Sequence, residues 1–162
     1  MKKYVSFLLV ILLFSSCSND DDGGSGDGGD PNGGVNIVGD WGLTGYVLGF
    51  PVDVNLDGIP NTDVLQELPC FDSTLTLNSD GTFTSSTTEI VITVDEGVTS
   101  ADCGDLEFFS GAWQLVGDQL TIPDGNGGSQ TVSIILSGNT MTYTSDDPAF
   151  GSSSATWTWT RQ

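Results

Sequence analysis

From Val35 onward, apolar and polar side chains alternate with a period of two, the spacing of half-buried β-strands. "STLTLN" (73–78) puts Leu75 and Leu77 on one face and threonines on the other. "SDG" (79–81) follows as a hairpin turn. "TFTSSTTEIVITV" (82–94) carries Phe83, then Ile90, Ile92 and Val94 in phase, and "FSGAWQL" (109–115) alternates Phe109, Gly111, Trp113 and Leu115. Gly117-Asp118 interrupts the pattern, and "QLTI" (119–122) resumes it with Leu120 and Ile122. "DGNGGS" (124–129) reads as a loop; "TVSIIL" (131–136) and "NTMTYT" (139–144) read as a hairpin through Ser137, Gly138 and Asn139. "ATWTWT" (155–160) sets Ala155, Trp157 and Trp159 against three threonines. With a first strand opening in "GDWGLTGY" (39–46), about eight short strands share even turn spacing, the pattern of one all-β domain. Alternation alone leaves both an up-and-down barrel and a β-sandwich open. One helical stretch is predicted, "TDVLQEL" (62–68), capped by Thr62 and ended by Pro69.

The N-terminus follows another rule. "MKKYVSFLLVILLFSSC" has a basic start at Lys2 and Lys3, an apolar run from Tyr4 to Phe14, and small residues before Cys17. That is the layout of a secretory signal over residues 1–16, and the apolar run is too short to be a stable bilayer span. "FSSC" resembles the lipobox of bacterial lipoproteins, with Phe14 where leucine is commoner. The resemblance implies lipidation of Cys17, hence an outer-membrane or cell-envelope lipoprotein held to the membrane by its N-terminal lipid. Residues 17–34 would form a Gly- and Asp-rich disordered tether, too poor in apolar surface to offset chain entropy. Asp20, Asp21 and Asp22 also look like the export tag of surface-displayed lipoproteins, or serve as a solubilising spacer. The lipid assignment leaves Cys70 and Cys103 as one pair in an oxidising compartment, a disulfide or else two buried thiols.

Charge and missing residue types narrow the chemistry. Loss of Lys2 and Lys3 with the signal leaves Arg161 against 22 acidic residues, a formal charge of −21. Nucleic acid is excluded as a partner, since its binders need basic patches. The chain has no His, which removes Ser-His-Asp and Cys-His nucleophiles and the usual zinc sites. Without Lys in the mature chain, a Schiff-base mechanism is also out. An enzyme would need a carboxylate pair such as Asp95 with Glu96 or Glu107, and adjacent acids on a strand point to opposite faces.

The ordered set "IVGDW", Cys70, "STLTLNSDGTF", Cys103 and "SGAWQLVGDQLTI" resembles the bacterial lipocalin-like lipoproteins over about 35–162. Gly39 and Trp41 match the Gly-x-Trp motif that opens lipocalins. The resemblance implies a single antiparallel up-and-down barrel of about eight strands. It also implies that Trp41 seals the closed end and that a basic residue of the last strand, here Arg161, packs over its ring. The expected function is non-enzymatic binding by a monomer, with a small apolar ligand in the mouth lined by Phe83, Phe109 and Trp113. The alternative is a side-chain-filled barrel working through its surface on a partner or glycan, with Phe108 and Phe150 as contacts.

"DVNLDGIPNTD" (53–63) has the spacing of an EF-hand-type calcium loop and looks like those of dockerins and thrombospondin type 3 repeats. Asp53, Asn55 and Asp57 stand at loop positions 1, 3 and 5, Gly58 at the sharp turn, the Ile59 carbonyl at 7 and Asn61 at 9. Val64 takes the place of the terminal acid; Asp63 is one residue early and Glu67 three late. Structural calcium held by Asp53, Asn55, Asp57, Ile59, Asn61 and Asp63 is expected, or else an acidic Asx turn.

Overall fold

The computed structural model describes residues 36–123, 128–147 and 150–162. The signal, Cys17, the tether and the centre of the 124–129 loop lie outside the described residues. Ten strands and one short helix follow in the order β1 (Gly39–Val52), β2 (Asn61–Asp63), α1 (Val64–Glu67), β3 (Ser73–Leu77), β4 (Thr82–Asp95), β5 (Val98–Ala112), β6 (Gln114–Val116), β7 (Gln119–Pro123), β8 (Ser129–Ser137), β9 (Thr140–Asp147) and β10 (Ser152–Arg161).

All the ladders are antiparallel. The spatial order is β5-β4-β3-β1-β10-β9-β8-β7-β6, with β2 paired to β1 off this path. β5 and β6 stand at opposite ends of that order, yet only Trp113 separates them in the chain. One strand thus hands over from β4 to β7, and the wall counts eight positions, an up-and-down barrel rather than two packed sheets. Gly111 permits the handover: a Cβ there would lie 3.0 Å from Phe83 Cε1 and 3.1 Å from Pro123 Cγ. Glycine is the residue that lets β5 run this close to both neighbours.

A bulge in β1 explains a feature that strict alternation misses. Trp41 and Leu43 face the core, and so do Tyr46 and Leu48, although the two pairs have opposite parity. The β1–β10 register shifts between Leu43 and Gly45, which resets the phase. The core runs from Ile37, Trp41 and Leu77 at one end through Leu120 and Met141 to Tyr46 and Val64.

Three two-residue turns set the hairpins. Glu96 and Gly97 both have positive φ, 49° and 86°, and join β4 to β5 as a type I′ turn. Gly117-Asp118 and Gly138-Asn139 join β6 to β7 and β8 to β9. In the β3–β4 turn, the Thr82 hydroxyl and amide donate to Asp80 Oδ1 at 2.6 and 2.9 Å and hold its carboxyl below the usual range.

Two sequence expectations need correction. The strand predicted at 109–115 is divided: residues 109–112 are the far end of the fifteen-residue β5, Trp113 is the joint, and 114–115 open β6. Both faces of the β4–β5 hairpin are largely exposed, so no clean alternation marks residues 98–108. The helix is shorter than 62–68, because residues 61–63 pair with β1. Asp63, not Thr62, is its N-cap, with Oδ1 accepting from the Leu65 amide at 3.1 Å.

Candidate functional site

The closed end is built on Trp41. Trp41 is 1% exposed, and its indole N–H donates to the Ile37 carbonyl at 2.9 Å. Arg161, its partner in the β1–β10 ladder, sets its guanidinium carbon 4.4 Å from the ring centroid. The same guanidinium donates to the carbonyls of Val38 and Asn36. Gly39 has φ +139°, and a Cβ there would meet Arg161 Nη1 at 2.5 Å. The Gly-x-Trp spacing thus has a local cause: the glycine leaves room for the arginine that covers the tryptophan.

Above this plug lies a cavity of about 610 Å³. Leu75, Phe83, Leu120, Val132 and Met141 form its apolar floor and wall. Ser73, Ser85, Thr87 and Ser110 add hydroxyls along β3, β4 and β5, and among the described residues no charged side chain lines it. Phe108 and Phe109 both reach the cavity, at 75% and 42% exposure, so they stand at its open side. Tyr143, Trp157 and Trp159 complete the wall. Tyr46 stacks on Trp157 at 3.9 Å between centroids, and Tyr143 stacks on the same ring at 6.2 Å. Burial pushes the Tyr143 phenol up to about 12, so it stays neutral through the physiological range.

Of the three residues expected to line the mouth, Phe83 and Phe109 lie on the cavity wall. Trp113 does not line it. It sits at the β5–β6 joint, where its amide donates to Gly81 O at 2.8 Å and its indole to Asn78 O at 3.2 Å. Those bonds turn it toward the β3–β4 turn. Tyr143, Trp157 and Trp159 are among the lining residues that sequence reasoning left out. Their signal was present, since Trp157 and Trp159 share the inward parity of the last strand. Phe150 is half-buried, edge-on to Tyr46 at 6.2 Å, and so is no exposed contact.

Residues 53–60 form the tip between β1 and β2, and 61–63 are β2 itself. Side-chain oxygens turn inward on their own loop: Gly58 N–H donates to Asp53 Oδ2 at 3.1 Å, Asp57 N–H to Asn55 Oδ1 at 3.0 Å and Ile59 N–H to Asp57 Oδ1 at 2.8 Å. Asn61 Oδ1 accepts from the Asp63 amide at 3.0 Å, while Asp63 caps α1. Among the described residues, no three His, Cys, Asp or Glu side chains converge as metal ligands. Asp53 Oδ1 is nevertheless buried with no hydrogen-bond partner. Glu67 is 3% exposed, and its Oε2 accepts from the Val54 amide at 3.2 Å. Glu67 lies three residues after Val64 in the same helical turn, the signal that places it inward.

Cys70 and Cys103 are joined in a disulfide, with Cα atoms 6.2 Å apart, tying the segment after α1 to β5. The carboxylates weighed for catalysis do not converge. Asp95 ends β4 and Glu96 is in the turn, whereas Glu107 stands opposite Thr87, about 26 Å from Asp95 along the strand.

No curated protein matches the chain. A family model described as a lipocalin-like domain matches residues 37–143, from the Trp41 plug to the Tyr143 wall. A lipocalin-like domain points in general to a binding protein rather than an enzyme. With the single up-and-down barrel and the capped tryptophan on the same residues, the chain belongs to the lipocalin-like domain family.

Proposed function

We propose that the chain is an envelope-anchored, non-enzymatic binding protein that holds a small apolar molecule in its barrel. The observation that carries this reading is the cavity: about 610 Å³, walled by aromatic and aliphatic side chains, with a few hydroxyls and, among the described residues, no charge. That is the size and composition of a small-molecule site. A barrel filled by its own side chains would leave no such space. Native mass spectrometry of protein made in an oxidising compartment tests this. One small molecule per chain, released by organic solvent, supports it. A bare chain that also takes up no apolar dye at saturation counts against it.

Anchoring rests on the signal layout and on Cys17. Labelling cells with a clickable fatty acid should mark the wild type and not Cys17→Ser. A structural calcium in the 53–63 loop is part of the same reading. It is supported by the partnerless buried Asp53 oxygen and by buried Glu67. Buried carboxylates call for a cation, and Arg161 is committed to the closed end. Asp53, Asn55, Asp57 and the Ile59 carbonyl would supply oxygens, with Glu67 in the role of the missing terminal acid.

A second reading has its own observation. The β4–β5 hairpin exposes Val94, Val98, Leu106 and Phe108, each more than half accessible. Such a face suits contact with a partner or glycan, and it is compatible with a ligand in the barrel.

A further inference from the structure

Every residue of β5 from Gly104 to Ser110 is exposed, and Leu106, Phe108 and Phe109 among them are large and apolar. Among the described residues β5 pairs with β4 alone, so its other edge carries no strand. The backbone of that edge points outward. Thr88 N–H donates to Asp72 O at 2.9 Å on the β3 side, so its ladder partner Leu106 turns its own N–H and C=O away from β4. Phe108 and Ser110 repeat that direction by the alternation of the strand. Both ends of the stretch are closed: Ala101 N–H donates to Val54 O at 3.1 Å, and Gly111 runs against Pro123. Between them the wall has an open edge of roughly 24 Å, at about 3.4 Å per residue.

Charge decides what fits this edge. Lysine, proline or a covering segment commonly shields a sheet edge, and the stretch from Gly104 to Ser110 has none of the three. It carries Asp105 and Glu107 instead, with Glu89 against Gly104. Arg161, at the closed end, is the only basic side chain among the described residues. A second copy would bring the same acids and a formal charge of −19 to the edge, and anionic lipid is repelled in the same way. A basic strand meets opposite charge. Resting on the surface reading of the β4–β5 hairpin above, we propose that the β5 edge from Gly104 to Ser110 takes up an extended cationic peptide as an added strand. The peptide backbone satisfies the outward groups of Leu106, Phe108 and Ser110. Its apolar side chains seat on Leu106 and Phe108, and its basic ones stand by Asp105 and Glu107.

The test uses the full protein and synthetic peptides of about nine residues, long enough to span the edge and capped at both ends. One alternates lysine with valine, one has glutamate for lysine, and one is the lysine peptide N-methylated along its pairing edge. The lysine peptide should bind once per chain and slow amide hydrogen exchange at Leu106, Phe108 and Ser110. The glutamate and N-methylated peptides should not bind at the same concentration. Asp105→Asn with Glu107→Gln should weaken the lysine peptide about tenfold at low salt, and the wild-type affinity should fall as salt rises. Equal binding by the N-methylated peptide, or protection confined to other strands, overturns strand addition. A dimer in sedimentation that protects these amides without peptide makes the occupant a second copy and overturns it too. If no peptide binds while an immobilised glycan panel does and Phe108→Ala abolishes that binding, the surface reading stands and this inference falls. If neither peptide nor glycan binds, both fall.

Discussion

Replacing Arg161 by methionine isolates the cover over Trp41. Methionine keeps an unbranched apolar stem over the indole and deletes the guanidinium. The lost interactions are a cation over the ring at 4.4 Å and two hydrogen bonds to the Val38 and Asn36 carbonyls. A cation over an indole is worth about 0.5–2 kcal/mol, and each hydrogen bond about 0.5–1.5 kcal/mol net. Asn36 is exposed and Val38 half-buried, so water recovers part of the second contribution. The expected destabilisation is about 2 kcal/mol, a fall of roughly 1 M in the urea midpoint with an unchanged slope. Arg161→Lys retains a cation but not a planar fork that serves two carbonyls, and should recover about half. Urea unfolding followed by tryptophan fluorescence reads both variants. A loss under roughly 0.5 kcal/mol in Arg161→Met, or full recovery in Arg161→Lys, would refute the plug as described.

Other perturbations follow from the same geometry. Gly39→Ala forces a side chain onto Arg161 Nη1 at positive φ and should lower the midpoint at least as far as Arg161→Met, read in the same urea experiment. Reducing the Cys70–Cys103 bond, which spans 33 residues, should cost up to about 4 kcal/mol by the chain-entropy model, visible as a lower Tm in reductant that Cys70→Ser with Cys103→Ser reproduces. The raised Tyr143 pKa contributes stability that is present below about pH 10 and lost as pH climbs towards 12, because the unfolded phenol ionises first; Tyr143→Phe should flatten that alkaline decline in urea titrations. Calcium at a hundred times its Kd should stabilise the wild type by about 2.7 kcal/mol, and neither Asp57→Ala nor chelated protein should show the gain.

How legible the molecule was depended on whether a face was buried. β3, β7 and β10 bury one face and alternate, so Leu75, Leu120 and Trp159 were readable as inward positions. β5 lies open on both sides over most of its length, and its polar and apolar residues carry no period. The β1 bulge inverted parity halfway along a strand, an event that a fixed period cannot follow. Phe83 and Phe109 were traceable to the cavity by phase, whereas Trp113 shares that phase and is drawn off by two backbone hydrogen bonds. Glu67 was visible as an acid but stood at the wrong loop position; its burial comes from the short turn of helix that Asp63 caps.

The most direct test of the account is a titration with the neutral apolar dye N-phenyl-1-naphthylamine, comparing wild type with Ser85→Phe. Ser85 lies on the cavity wall opposite Phe109 in the ladder, so a ring there fills the space without touching the closed end. The account predicts saturable uptake of one dye per chain, lost in Ser85→Phe while the urea midpoint stays within roughly 1 kcal/mol of wild type. No saturable uptake by the wild type, or equal uptake by both proteins, would contradict a ligand-binding barrel.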